Sequence, residues 1–172
     1  NVVPALLGGC QLSVPTNSDT WEICQIPWHE TIIPVLAIPD FELSTAEARK
    51  ILPTNYTRSD VIFNASHLGL LLRGLETGCE KQIRVAMQDK IHLPFRKSLI
   101  QGFDAVRKAA LDAGAYELTI SGAGPSLLAL TSHSQAPQVA QAMTETWKAF
   151  DVSVQVKSLR LDSLGTRAEF LP

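Results

Sequence analysis

No stretch of the 172-residue sequence approaches the roughly 20 consecutive apolar residues that span a bilayer, and no basic segment followed by an apolar run opens it. A helical membrane span is thereby excluded, and a cytoplasmic protein is expected. Charge of one sign is missing as well: 15 basic residues stand against 17 acidic ones, the formal net charge is -2, and like charges run no further than adjacent pairs. Without a basic patch there is no electrostatic footprint for nucleic acid or an anionic membrane, so a small molecule is the expected ligand. Cysteine is scarce. Cys10, Cys24 and Cys79 are odd in number, lack CxxC spacing and have no histidine cluster nearby, which argues against a disulfide framework and against structural zinc. They read as reduced, mostly buried thiols.

The familiar catalytic signatures are absent too. His29, His67, His92 and His133 show neither i,i+4 pairing nor an HExxH pattern, so no metal site is expected. Ser121 and Ser126 are not framed as a GxSxG elbow, no GK[ST] follows a glycine loop, and no pair of carboxylates stands out. Whatever chemistry the sequence serves is not self-contained in it. The sequence also opens on Asn1 rather than methionine and passes at once into an apolar run, as a piece of something longer would.

What is present has the length and pattern of one domain, since a chain of this size buries roughly 70% of its unfolded surface. Residues 7 to 14 place β-formers around a Gly pair, turn residues 15 to 20 follow, and a second strand is expected over Glu22 to Ile26. Ile32 to Ile38 is apolar enough for a strand buried on both faces. Ser44 and Glu47 form a capping box that opens a helix ending at Leu52-Pro53. Helical spacing then runs from about Ser59 to Gly78 and from Cys79 to Asp89, and the longest helix is predicted over Phe95 to Ala113, with Pro94 at its mouth and Gly114 beyond its end. Tyr116 to Ser121 and Ser126 to Thr131 read as a hairpin, Gln135 to Phe150 as a helix, and Val152 to Leu161 as a closing strand. The sum is an α+β fold, an antiparallel sheet with helices packed on one face.

Three segments can carry function. The turn Ser121-Gly122-Ala123-Gly124-Pro125-Ser126 lets the backbone approach an anion or another segment without Cβ obstruction, or is simply a hairpin connection. Thr45 and Arg49, four apart on the capped helix, share a face suited to an anion; alternatively Arg49 is a solvated helix charge. Arg96, predicted near the start of the long helix, gains nothing there from the helix dipole, so it has a specific partner or lies on the surface.

NVVPALLGG at 1 to 9, STAEARKILP at 44 to 53, LPFRKSLIQGF at 93 to 103 and ISGAGPSLLAL at 120 to 130 resemble, in order and spacing, the homoserine kinase family of the GHMP class, and the similarity runs on to RLDSLGTRAEF. The resemblance implies that residues 1–172 are a GHMP kinase C-terminal domain, a ferredoxin-like two-layer sandwich, whose N-terminal partner domain carries the loop for ATP and the residues for Mg²⁺. It implies that Arg49 and Arg96 clamp the carboxylate of L-homoserine, a task suited to planar guanidinium groups. Thr45 would lie near the transferred phosphate or the substrate hydroxyl, Asn1 would line the active site, and Ser121, Gly122, Ala123, Gly124 and Ser126 would support the phosphate loop. L-homoserine, ATP and the N-terminal domain are the implied partners, a homodimer is allowed, and no metal ligand is assigned within this sequence. Two rivals remain at this stage: a regulatory module that binds an amino acid without turning it over, and a GHMP kinase for another small molecule.

Overall fold

The computed structural model describes residues 2–17 and 19–168. Asn1, assigned to the active site by resemblance, lies outside the described residues. The elements run in the order α1 (Val2–Leu7), β1 (Cys10–Pro15), β2 (Trp21–Ile26), β3 (Ile32–Pro39), α2 (Thr45–Lys50), α3 (Arg58–Thr77), α4 (Glu80–Ala86), α5 (Leu93–Arg96), a 3₁₀ turn (Lys97–Leu99), α6 (Phe103–Asp112), β4 (Glu117–Ile120), β5 (Leu127–Ser132), α7 (Ala136–Lys148) and β6 (Val154–Ser158).

Strands β4-β5-β3-β6 form one antiparallel sheet, with Val35 opposite Ala129 and Ala37 opposite both Leu127 and Val156. The long connection from β3 to β4 carries α2 to α6, and that from β5 to β6 carries α7. This β-α-β-β-α-β sequence with the first and third strands central is the ferredoxin-like sandwich. The period of two along each strand divides the apolar residues between faces. Ile33, Val35, Ala37, Leu118, Leu127 and Ala129 meet Phe103, Val106 and Ala110 of α6 and Val139, Met143 and Trp147 of α7 in the main core. The intervening Ile32 and Leu130 join Leu75 of α3, Ile83 of α4 and Met87 in a second cluster on the opposite face. Trp147 is fully buried, and its indole N–H donates to the Gln101 carbonyl at 2.8 Å, which satisfies the polar edge of a large apolar side chain.

Three expectations need correction. The predicted helix over Phe95 to Ala113 is broken into α5, the 3₁₀ turn and α6. Ile100 is extended and Gly102 has φ +75°, a left-handed conformation that no α-helix continues through, while a Cβ on Gly102 would lie 3.0 Å from the Phe150 ring. The longest helix is therefore α3, which stops at Gly78 in the left-handed conformation. The strand expected over residues 7 to 14 begins only at Cys10, because Gly8 and Gly9 are both at positive φ, and residues 2–7 are helical. The thiols are free but not mostly buried: Cys24 is exposed, and Cys10 and Cys79 are half-buried. Burial pushes the Cys10 thiol up from its ordinary value. Among the described residues no helix is long and apolar enough to cross a membrane.

Candidate functional site

The site is assembled at the end of the sheet where β3 and β4 finish and β5 begins. α2 begins there with the expected capping box: Ser44 Oγ accepts from the Glu47 N–H at 3.1 Å, and Glu47 Oε2 accepts from the Ser44 N–H at 3.3 Å. This fixes the first turn of a helix only six residues long. Thr45 is its first residue and Arg49 lies one turn on; both are exposed, and no carboxylate is within ion-pair distance of the Arg49 side chain among the described residues.

Arg96 ties the parts together. It sits not at the mouth of a long helix but at the C-terminal end of the four-residue α5, where a cation is favoured by the helix dipole. Its Nε–H donates to the Ala48 carbonyl of α2 at 3.0 Å and its Nη1 to the Gly122 carbonyl of the glycine turn at 3.1 Å. Ala48, the residue before Arg49, is fully buried. One guanidinium thus bridges two segments that lie 48 and 26 residues away in sequence. It is half-buried and has no acidic partner among the described residues. With Nε occupied, the side-on approach is blocked, and the free N–H groups on Nη1 and Nη2 remain for an anion arriving end-on.

The turn between β4 and β5 is closed by the Ser121 N–H donating to the Ser126 carbonyl at 2.8 Å, and the Gly124-Pro125 peptide is cis. Gly122 and Gly124 have φ +63° and +90°. Pro125 and Ser126 face Phe41, Glu42, Leu43 and Ser44 across a shallow hollow of about 330 Å³. The turn is therefore packed against the loop that leads into α2. A larger hollow of about 690 Å³ lies at the opposite end of the sheet, against Ile32, Ser132 and His133, away from both arginines.

Of the residues singled out in the sequence, Arg96, the turn and the helix of Thr45 and Arg49 are brought into one neighbourhood. Sequence reading missed the residues that hold α5. Asp89 accepts from the backbone N–H groups of Ile91, His92 and Leu93 at 2.7 to 3.2 Å, and Asn64 of α3 donates to it at 2.6 Å. An aspartate just ahead of Leu93-Pro94 is a local helix-start signal that was available; the part of Asn64, 25 residues away, was not. Burial alone would raise the Asp89 carboxyl, but the hydrogen bonds from Asn64, Ile91, Leu93 and His92 outweigh it and hold it below its ordinary 3.8. Among the described residues no group of three His, Cys, Asp or Glu side chains is placed to hold a metal ion.

Comparison with known proteins agrees with this architecture. Residues 71–149 match the family model described as GHMP kinases C terminal. Residues 71–149 therefore carry a domain of the GHMP kinase C-terminal kind. Within that class its relatives are homoserine kinases: it is 59% identical over 165 residues to the homoserine kinases of Nostoc sp. and Trichodesmium erythraeum, matching 96% of this chain and 55% and 54% of theirs. The chain thus spans about half the length of the curated relatives it matches. The crystal structure of homoserine kinase from Cytophaga hutchinsonii superposes with a TM-score of 0.89 at 36% identity, covering 96% of this chain and 52% of that one. Mevalonate kinase from L. major, at 12% identity and a TM-score of 0.65, shares the fold alone.

Proposed function

We propose that this chain is the substrate-binding half of an enzyme that transfers the γ-phosphoryl group of ATP to the hydroxyl of L-homoserine, giving O-phospho-L-homoserine on the way to threonine in the cytoplasm. The observation that carries the reading is Arg96, held between the Ala48 and Gly122 carbonyls with N–H groups to spare and no acidic partner among the described residues. Homoserine is an amino acid, and its carboxylate is the group such a guanidinium matches, with Arg49 as the second arm of the clamp. Thr45, one turn before Arg49, would stand beside the reacting hydroxyl or the transferred phosphate. Asn1 would line the same site.

The described residues offer neither a metal-ligand group nor a Walker-type loop. ATP and Mg²⁺ would therefore be held by a partner domain, and the turn of Ser121, Gly122, Ala123, Gly124 and Ser126 would brace that domain's phosphate loop. What this half contributes is position. Phosphoryl transfer depends chiefly on holding the acceptor oxygen in line and stabilising charge, so a site without an obvious general base is adequate for it.

The test is steady-state kinetics of the full-length protein. Arg96→Ala is expected to raise the homoserine KM at least about 30-fold, corresponding to about 2 kcal/mol for a half-buried charge-assisted contact, and Arg49→Ala, being exposed, by less. The KM for ATP should stay near the parent value in both. A homoserine KM unmoved by either change would sink the carboxylate clamp.

A further inference from the structure

We propose that Asn64 and Asp89 are positioning residues for Arg96, fixing one end of α5 so that the arginine at its other end presents its free N–H groups to the substrate carboxylate. This rests on the reading of Arg96 given above. α5 has four residues, too few for a helix to hold itself together in water. No side chain of the helix caps it, and His92, which precedes it, makes no capping bond. Its N-terminal geometry comes from Asp89 instead: Oδ1 accepts from the N–H of Ile91 at 2.7 Å, and Oδ2 from those of His92 at 3.0 Å and Leu93 at 2.8 Å. The donors of His92 and Leu93 at the helix start, and that of Ile91 just ahead of it, are thereby satisfied by one carboxylate.

Asp89 is itself held from α3. Asn64 Nδ2 donates to Asp89 Oδ1 at 2.6 Å, and Asn64 Oδ1 accepts from the Lys90 N–H at 2.9 Å, so both ends of the amide are used and its orientation is fixed. α3 is a 20-residue helix with a buried seam at Gly74 and Leu75, which makes it a rigid reference for the loop. Tyr56 adds a third tether through its hydroxyl, which donates to the Ile91 carbonyl at 3.0 Å, while its ring meets Phe95 edge-on. At the far end of α5, the Arg96 guanidinium reaches carbonyls of two other segments. Neither carbonyl belongs to α5, so the placement of the guanidinium depends on where α5 starts.

The experiment is a double-variant cycle in the full-length enzyme, with homoserine and ATP varied separately. Asn64→Ala is expected to raise the homoserine KM about tenfold while kcat and the ATP KM stay within about twofold, since a misplaced arginine weakens binding of one substrate only. In an Arg96→Ala background, Asn64→Ala should add nothing further. An equal penalty in both backgrounds would show that the effect does not run through Arg96 and would overturn the proposal. So would a homoserine KM untouched by Asn64→Ala alongside a raised one in Arg96→Ala, an outcome that leaves the clamp standing. No change in Arg96→Ala would remove the clamp, and the proposal with it. If Asn64→Ala does not fold, Asp89→Asn, which has the same shape but puts N–H groups against N–H donors, is read in the same cycle.

Discussion

Gly122 and Gly124 flank one alanine and both have positive φ, yet their surroundings differ. A Cβ on Gly122 would project into open space, whereas one on Gly124 would lie 3.2 Å from Ile100 Cδ1 and from Ile120 Cγ2. Gly122→Ala should therefore cost only the left-handed backbone penalty, about 1 kcal/mol, and Gly124→Ala that penalty plus a clash, about 2 to 4 kcal/mol in all. Denaturant midpoints of the two variants measure the difference, and equal midpoints would contradict the packing described. At this scale the sequence was informative where the signal is local. The Ser44–Glu47 capping box is legible in four residues, and the turn glycines announce positive φ. The Arg96 contacts were not legible, because their partners are backbone carbonyls on distant segments and any residue supplies a carbonyl.

Among elements, α6 and β4 are joined by an ion pair as well as by their apolar contacts. Glu117 is 4% exposed, and Arg107 meets it with two parallel bonds of 2.8 and 2.6 Å, while the Leu118 N–H donates to the same carboxylate at 2.8 Å. Removing the arginine leaves a buried carboxylate with too few donors. Arg107→Ala is expected to destabilise the fold by about 2 to 3 kcal/mol, somewhat below the usual figure for a fully buried pair because the Arg107 side chain is 36% exposed. Thermal or denaturant unfolding reads this directly, and a loss near zero would contradict it. Elements with sustained periodicity, such as α3 and α7, were predicted within a few residues. The break between α5 and α6 was not: the apolar spacing of Phe95, Leu99, Phe103 and Val106 runs straight through it, and only Gly102 marks it, where φ is +75° and the Phe150 ring crowds the place of a Cβ.

For the molecule as a whole, the β1–β2 ribbon differs from the rest. Its strands pair over Cys10↔Ile26 to Pro15↔Trp21, but among their residues Ile26 alone is buried, and Val14, Trp21 and Ile23 are 48%, 59% and 41% exposed. A two-stranded ribbon with so little burial is marginally stable by itself. Its amides should exchange with solvent at least about a hundredfold faster than those of β3 and β5, whose protection follows the main core; equal protection in an exchange experiment on this chain would refute this. The antiparallel sheet and its helical layer were readable from alternation and helical spacing, while the second cluster, which joins α3 and α4 to the other face, was not, because nothing local tells a half-apolar helix which side of a sheet it will cover.

The bridging of Arg96 to Ala48 and Gly122 has a consequence for what binding costs. An arginine free in solvent holds about 2 kcal/mol of rotamer entropy that a ligand must remove when it orders the side chain. For Arg96 most of that loss has been incurred in folding, since two carbonyls already hold the guanidinium in place. Among the described residues the exposed Arg49 side chain has no such restraint. The two arms of the proposed clamp would therefore be unequal, one a preset fixture and the other an exposed arm ordered on binding at an entropic cost. A lysine at 96 would lack the fork that holds the fixture, and would return that cost to the moment of binding.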